Sequence, residues 1–187
     1  SGYATSDMLD DWQLLPTRPD WAAGLRDTWT PGEAGAQARL AHFVAGPLDS
    51  YHRRDEPAVE ATSMLSPHLR FGEVSPFQVW KAAHGASRNS AKFLSEIGWR
   101  EFNANILFHA PNLATENFRA AYDGFPWGDA DPAELAAWRE GRTGIPLVDA
   151  GMRELWHTGY MHNRVRMVVA SFLVKNLLVD WRVGEQW

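Results

Sequence analysis

The ten residues from Thr158 to Met167 carry the densest chemistry in this chain: Thr-Gly-Tyr-Met-His-Asn-Arg-Val-Arg-Met. The apolar run Val168 to Val174 follows directly and should be buried. A polar cluster joined to a core helix holds cationic and amide groups rigidly beside a cleft. Between Glu154 and Asp180 there is no acid, while Arg164, Arg166 and Lys175 are cationic, so the expected occupant is an anion. On charge alone, arginines snorkelling over a core are the simpler account.

Two more constellations stand upstream. Thr62-Ser63-Met64-Leu65-Ser66 puts three hydroxyls within five residues. Such groups can donate to phosphate oxygens beside backbone N–H groups, although hydroxyl clusters more often cap helices and make turns. Glu96, Trp99, Arg100 and Asn103 fall at i, i+3, i+4 and i+7 of a helix and share one face. That face offers an acceptor, a flat aromatic and a guanidinium, a set able to read a stacked base. Taken alone, an intrahelical Glu–Arg pair beside a core tryptophan explains it better. His157 and His162 are five apart, not the four that aims two imidazoles at one metal, and the other histidines are dispersed. No metal site is assigned.

The elements that must position these groups read as helices. Residues 1–35, rich in Asp, Pro, Gly and Thr, read as an extended lead-in or linker, and 36–187 as a helical domain. Ala36 to Ser50 predicts an amphipathic helix with Leu40, Phe43 and Val44 on one face. Arg53 to Pro57 reads as a turn. Ser75-Pro76 starts a helix, with proline at the first helical position. Asn89 or Ser90 is expected to cap a long helix that Pro111 stops. Asp131-Pro132 and Ile145-Pro146 open two more, and a last helix runs from about Asn163 to Trp181. No strand alternation and no repeat is visible. The fold class is all-α.

Composition sets bounds. The chain has 187 residues, ten tryptophans, nine phenylalanines, four tyrosines and no cysteine. Disulfides and thiolate metal sites are excluded. No stretch approaches the ~20 apolar residues of a membrane span, and Ser1-Gly2-Tyr3-Ala4 has no signal pattern, so a soluble, cytoplasmic protein is expected. The net charge is −5. Residues 1–50 hold seven acids against three bases, which leaves 51–187 nearly neutral and able to present a local basic surface to phosphates.

In this order and at these separations, the three stretches resemble the DNA photolyase/cryptochrome family. The likeness is to its helical FAD-binding domain and runs from about Tyr51 to Trp187. Trp99-Arg100-Glu101-Phe102, Gly144 to Ala150 and Met161-His162-Asn163-Arg164 carry it. Met161 to Met167 is most similar to the class I cyclobutane-pyrimidine-dimer photolyases. The (6-4) photolyases and animal cryptochromes tend to carry paired histidines there.

The resemblance implies FAD as cofactor and DNA containing pyrimidine dimers as partner. Thr62, Ser63, Met64, Leu65 and Ser66 would line the flavin diphosphate, with Tyr51, Tyr160 and Arg166 around the cofactor. The segment from Tyr51 to Thr62 is one residue shorter than usual, Met64 stands where arginine is common, and Tyr160 replaces a frequent tryptophan. Arg54, Glu96, Trp99, Arg100, Asn103, Asn163, Arg164 and Met167 would face DNA and lesion. Glu96 would hydrogen-bond the flipped base, and Arg166 would meet a carboxylate beyond this chain. Trp127 and Trp181 look like the distal and middle members of an electron-transfer chain whose proximal member should follow Trp187. The implied activity is light-driven dimer splitting by an electron from reduced FAD. The alternatives are a cryptochrome-like photoreceptor and a flavin-free helical fragment. The amino-terminal α/β antenna domain and the carboxy-terminal helices of the family are missing, and the antenna chromophore is left open. A carboxy-terminal segment or a complementary chain would complete the pocket and cover the face of Val168, Phe172, Leu173 and Leu177.

Overall fold

Prolines and side-chain caps set most of the helix starts among the described residues. A computed structural model describes residues 7–187. Among them run α1 (Ala23–Thr28), α2 (Glu33–Ala45), α3 (Ser66–Arg70), α4 (Pro76–Ala83), α5 (Ser90–His109), α6 (Pro132–Arg139), α7 (Pro146–Thr158), α8 (Asn163–Ser171) and α9 (Trp181–Gln186), with no strand. Ser75 and Gln78 form a reciprocal capping box, each side chain bonding the other's backbone N–H. Asp131 Oδ1 accepts from the Ala133 N–H at 2.7 Å to start α6. Gly159, at φ 68°, closes α7 in the left-handed conformation that glycine adopts without a Cβ penalty.

Four expectations change. Residues 1–6 lie outside the described residues, and the rest of the supposed lead-in is not simply extended. It contains a 3-10 turn (Leu9–Trp12), α1 and the start of α2. Helix α1 is too short to persist on propensity and is held by packing on α7. Gly24 permits this, since any Cβ there would lie 2.2 Å from the His157 carbonyl oxygen. The helix expected over 36–50 runs from Glu33 to Ala45, and Pro47 then opens a separate 3-10 helix through Arg53. Asn89 precedes α5 without capping it; its amide donates to the Asp49 carbonyl at 2.7 Å.

The last helix is broken rather than continuous. α8 ends at Ser171, a π-turn spans Phe172–Asn176, Leu178 takes φ 54°, and Asp180 caps α9 through the Arg182 N–H. The break folds α9 back so that Gly184 lies against Leu173, where a Cβ would meet Leu173 Cδ2 at 2.4 Å. Leu173 is therefore buried, not uncovered as expected; Phe172 and Leu177 are half-buried and Val168 is exposed.

Two separate apolar clusters result. The first joins α2, the 3-10 helix, α4 and the start of α5 through Leu40, Phe43, Leu48, Tyr51, Val79 and Phe93. The second joins α6, α7, α8 and the π-turn through Trp138, Val148, Met152, Val165, Val169 and Leu173. α7 and α8 meet closely at Gly151, where a Cβ would fall 2.4 Å from Val165 Cγ1 and 3.2 Å from Val169 Cγ2. Gly151→Ala should overpack this contact and cost about 1–3 kcal/mol. Urea unfolding of the variant checks this, and an unchanged midpoint would contradict the close approach.

Candidate functional site

The run from Thr158 to Arg164 forms a polar seam between the two apolar clusters. Thr158 accepts at its carbonyl from Trp29 Nε1 at 2.6 Å. The Tyr160 hydroxyl donates to Thr62 Oγ1 at 3.3 Å. His162, buried, has Nε2 2.9 Å from the Arg54 carbonyl oxygen. Arg164 donates to Asp55 Oδ2 at 2.7 Å and lies 3.5 Å from the Met167 sulfur. The Arg164 guanidinium holds the Asp55 carboxyl below the usual carboxylate range, with Arg54 adding to it. Arg164 and Met167 are exposed; so is Asn163.

The face of α5 meets this seam. Glu96 sits 3.9 Å from Arg54 and 3.4 Å from Lys92. Arg54 in turn lies over the Tyr51 ring at 5.4 Å. Tyr51 packs edge-on against Phe43 and Phe93, and burial, then the nearby Glu96 charge, pushes its hydroxyl pKa up. The intrahelical Glu96–Arg100 pair is not what forms. Arg100 bonds the Leu69 carbonyl and Glu101, both at 3.3 Å. Trp99 is not a core residue either: it is 56% exposed, edge-on to Phe102, with Asn103 exposed one turn on.

The remaining predicted residues are placed as follows. Thr62, Ser63 and Met64 are half-buried, Leu65 is buried and Ser66 exposed. Met64 takes φ 54°, and Ser63 Oγ accepts from the Leu65 N–H. Arg166 donates to the Met161 carbonyl at 3.3 Å. Trp127 tilts against Phe125 at 4.4 Å; Trp181 donates to Asn117 Oδ1 at 2.9 Å, beneath the Arg182 guanidinium. The Gly128 N–H donates to the Leu178 carbonyl, tying their two segments together.

A sequence signature described as the FAD binding domain of DNA photolyase matches residues 93–187. A deoxyribodipyrimidine photo-lyase of Agrobacterium fabrum is 54% identical over 99% of this chain and 40% of its own length. The chain belongs to the DNA photolyase/cryptochrome family. A Sinapis alba protein named Cryptochrome-1 is 42% identical over 87% of the chain and 35% of its own length. The crystal structure of a class III photolyase from Agrobacterium tumefaciens superposes with a TM-score of 0.91 at 52% identity, covering all of this chain and 40% of that one. The chain thus spans about 40% of the length of the photolyase relatives it matches. Its helical fold is that of the family's FAD-binding domain. That solved neighbour is class III, whereas the Met161 to Met167 run was compared with class I; the run marks the family and does not by itself separate the subgroups.

The loop from Thr62 to Ser66 is rich in hydrogen-bond donors. Among the described residues, the N–H groups of Thr62, Ser63 and Met64 meet no acceptor within the protein. Together with three hydroxyls they form an open donor set.

Sequence reasoning missed Asp55, Trp29 and a second polar network. Asp55 adjoins Arg54 in the turn, but its partner lies 109 residues away. Buried His68 lies 2.5 Å from Glu73, whose other oxygen accepts from the Gly32 N–H at 2.7 Å. These bonds, His68 first, hold Glu73 below its ordinary value of 4.5. A depressed carboxylate contributes stability that is present above the unfolded pKa and is lost as pH falls through the folded one. Urea midpoints should therefore fall as the pH drops below about 4.5, and Glu73→Gln should flatten that part of the profile. An identical profile in the variant would remove Glu73 from the acid transition.

Proposed function

We propose that this chain is the flavin- and lesion-facing part of a light-driven photolyase that splits cyclobutane pyrimidine dimers in DNA. The observation that carries this reading is the exposed Trp99 indole, on the same α5 face as Glu96, with Arg54 and Arg164 across the seam. Flat aromatic surface next to cations is what an extruded base needs: a face to stack on and charges for its phosphates. Photolyases are among the enzymes that take their target bases out of the duplex.

FAD, when bound and reduced, supplies the photoexcited electron. The chain's own residues bind and orient. The donors of Thr62, Ser63, Met64 and Ser66 would hold the diphosphate, with Leu65 anchoring the loop in the core. Tyr160 steadies Thr62, and Tyr51 and Arg166 would flank the cofactor. Glu96, between Lys92 and Arg54, would hydrogen-bond the flipped base. Asn103, Asn163 and Met167 would line the lesion, and Arg100 its rim. Trp127 and Trp181, both half-buried, would relay electrons toward the flavin. A cryptochrome-like photoreceptor is the second reading, favoured by the 42% identity to the Sinapis alba protein.

Illumination of the flavin-loaded protein with dimer-containing DNA separates the two. Restored thymines in light, and none in the dark, are expected. A flavin that photoreduces without cleaving dimers would leave the photoreceptor reading. Trp99→Ala should weaken binding of dimer-containing duplex by about 1–3 kcal/mol, the worth of one base stacked on an aromatic ring. Unchanged affinity in a salt-controlled titration would refute the stacking role.

A further inference from the structure

Both ring nitrogens of His162 are engaged, and each partner can play only one part. Nδ1 lies 3.2 Å from the Arg164 backbone nitrogen, whose N–H donates and caps α8. Nε2 lies 2.9 Å from the Arg54 carbonyl oxygen, which can only accept. A ring that accepts at Nδ1 and donates at Nε2 is neutral and fixed in the Nε2–H tautomer. Its solvent exposure is 6%, so water does not compete for either bond.

We propose that His162 is a positioning residue: in this tautomer it clamps the Arg54 backbone to the first turn of α8, so that the Arg54 and Arg164 guanidiniums are presented as a pair to DNA backbone phosphates. The surroundings support the pairing. Arg54 is set from one side by the Tyr51 ring and Glu96. Arg164 is set from the other by Asp55 and the Met167 sulfur. Arg54 and Asp55 are adjacent in the turn, so one clamp on that turn fixes both supports at once. The Asp55 bond is exposed and exchanges with water; the His162 bond is shielded. The histidine is thus the part of the clamp that persists when a phosphate draws Arg164 away from Asp55. The DNA half of this inference rests on the lesion-binding reading above, whereas the tautomer half rests on ring geometry alone.

Two measurements test it. In protein labelled with 15N at the imidazoles, the long-range proton–nitrogen spectrum of His162, assigned through its own backbone, should show protonated Nε2 and bare Nδ1 near neutral pH. An Nδ1–H or doubly protonated ring overturns the clamp, whatever the protein does with DNA. His162→Asn keeps a capping side chain but is too short to reach Arg54 as well. It should retain the helical circular dichroism yet bind dimer-containing duplex roughly threefold more weakly. Its log affinity against log salt should be shallower by about 0.9, one phosphate contact. Wild-type affinity and slope in the variant overturn the positioning role. A wild-type protein that does not prefer dimer-containing over undamaged DNA would sink the lesion reading instead, leaving the spectrum to decide the clamp.

Discussion

The structure depends on a polar seam that joins two apolar clusters with no side chain in common. From one side Trp29, Arg54, Asp55 and Thr62 reach across; from the other, Thr158, Tyr160, His162 and Arg164 receive them. Apolar clusters attract without direction, so burial alone would leave their mutual orientation loosely defined. Hydrogen bonds specify it, because a shielded donor or acceptor left without its partner costs the full desolvation of that group. Within the seam both nitrogens of the buried His162 imidazole are matched. Its contribution is geometric uniqueness more than net stabilisation.

That geometry is what a flavin and lesion site requires. The loop from Thr62 to Ser66 is anchored in the first cluster through Leu65, while the Tyr160 hydroxyl comes from the segment that enters the second. On the α5 face Glu96 sits against Arg54, and on α8 Arg164 lies beside the Met167 sulfur. A slip of one cluster past the other would separate donors from lesion contacts. The seam residues therefore work as supports for groups that touch ligand, and Asp55 and His162 belong to that support rather than to the contact surface.

The helices were legible because their signals are local. Ser75-Pro76, Asp131-Pro132 and Ile145-Pro146 each carry a cap or a proline whose effect spans one turn, and each begins a helix where expected. What was not legible depends on distant partners. α1 exists because Gly24 lets it lie on α7, 133 residues further along the chain. The break after Ser171 follows from Gly184 folding onto Leu173, an approach that a helix-period pattern cannot announce. The motif residues were found from their types; their connections were not. Arg54 and Arg164 stood out as cations, but the carboxylate between them has its signal split across 109 residues. His162 was weighed only as a metal ligand, for which its spacing is wrong, and its real bonds go to two backbone groups that no sequence pattern displays.

The second half of α5 shows how function can be read from a conflict between levels. Its first turns are buried through Phe93, Leu94 and Ile97. From Gly98 to His109 only Ile106 is even partly covered, although Trp99, Phe102, Leu107 and Phe108 are large and apolar. A helix whose apolar residues face water contradicts the pattern that stabilises the rest of the chain, and such contradictions concentrate where a surface is kept for contact. Near the seam the same stretch carries Arg100 and Asn103, polar groups suited to a base edge and a phosphate. Towards His109 it turns wholly apolar. The gradient along one helix leaves a surface that the other described residues do not cover.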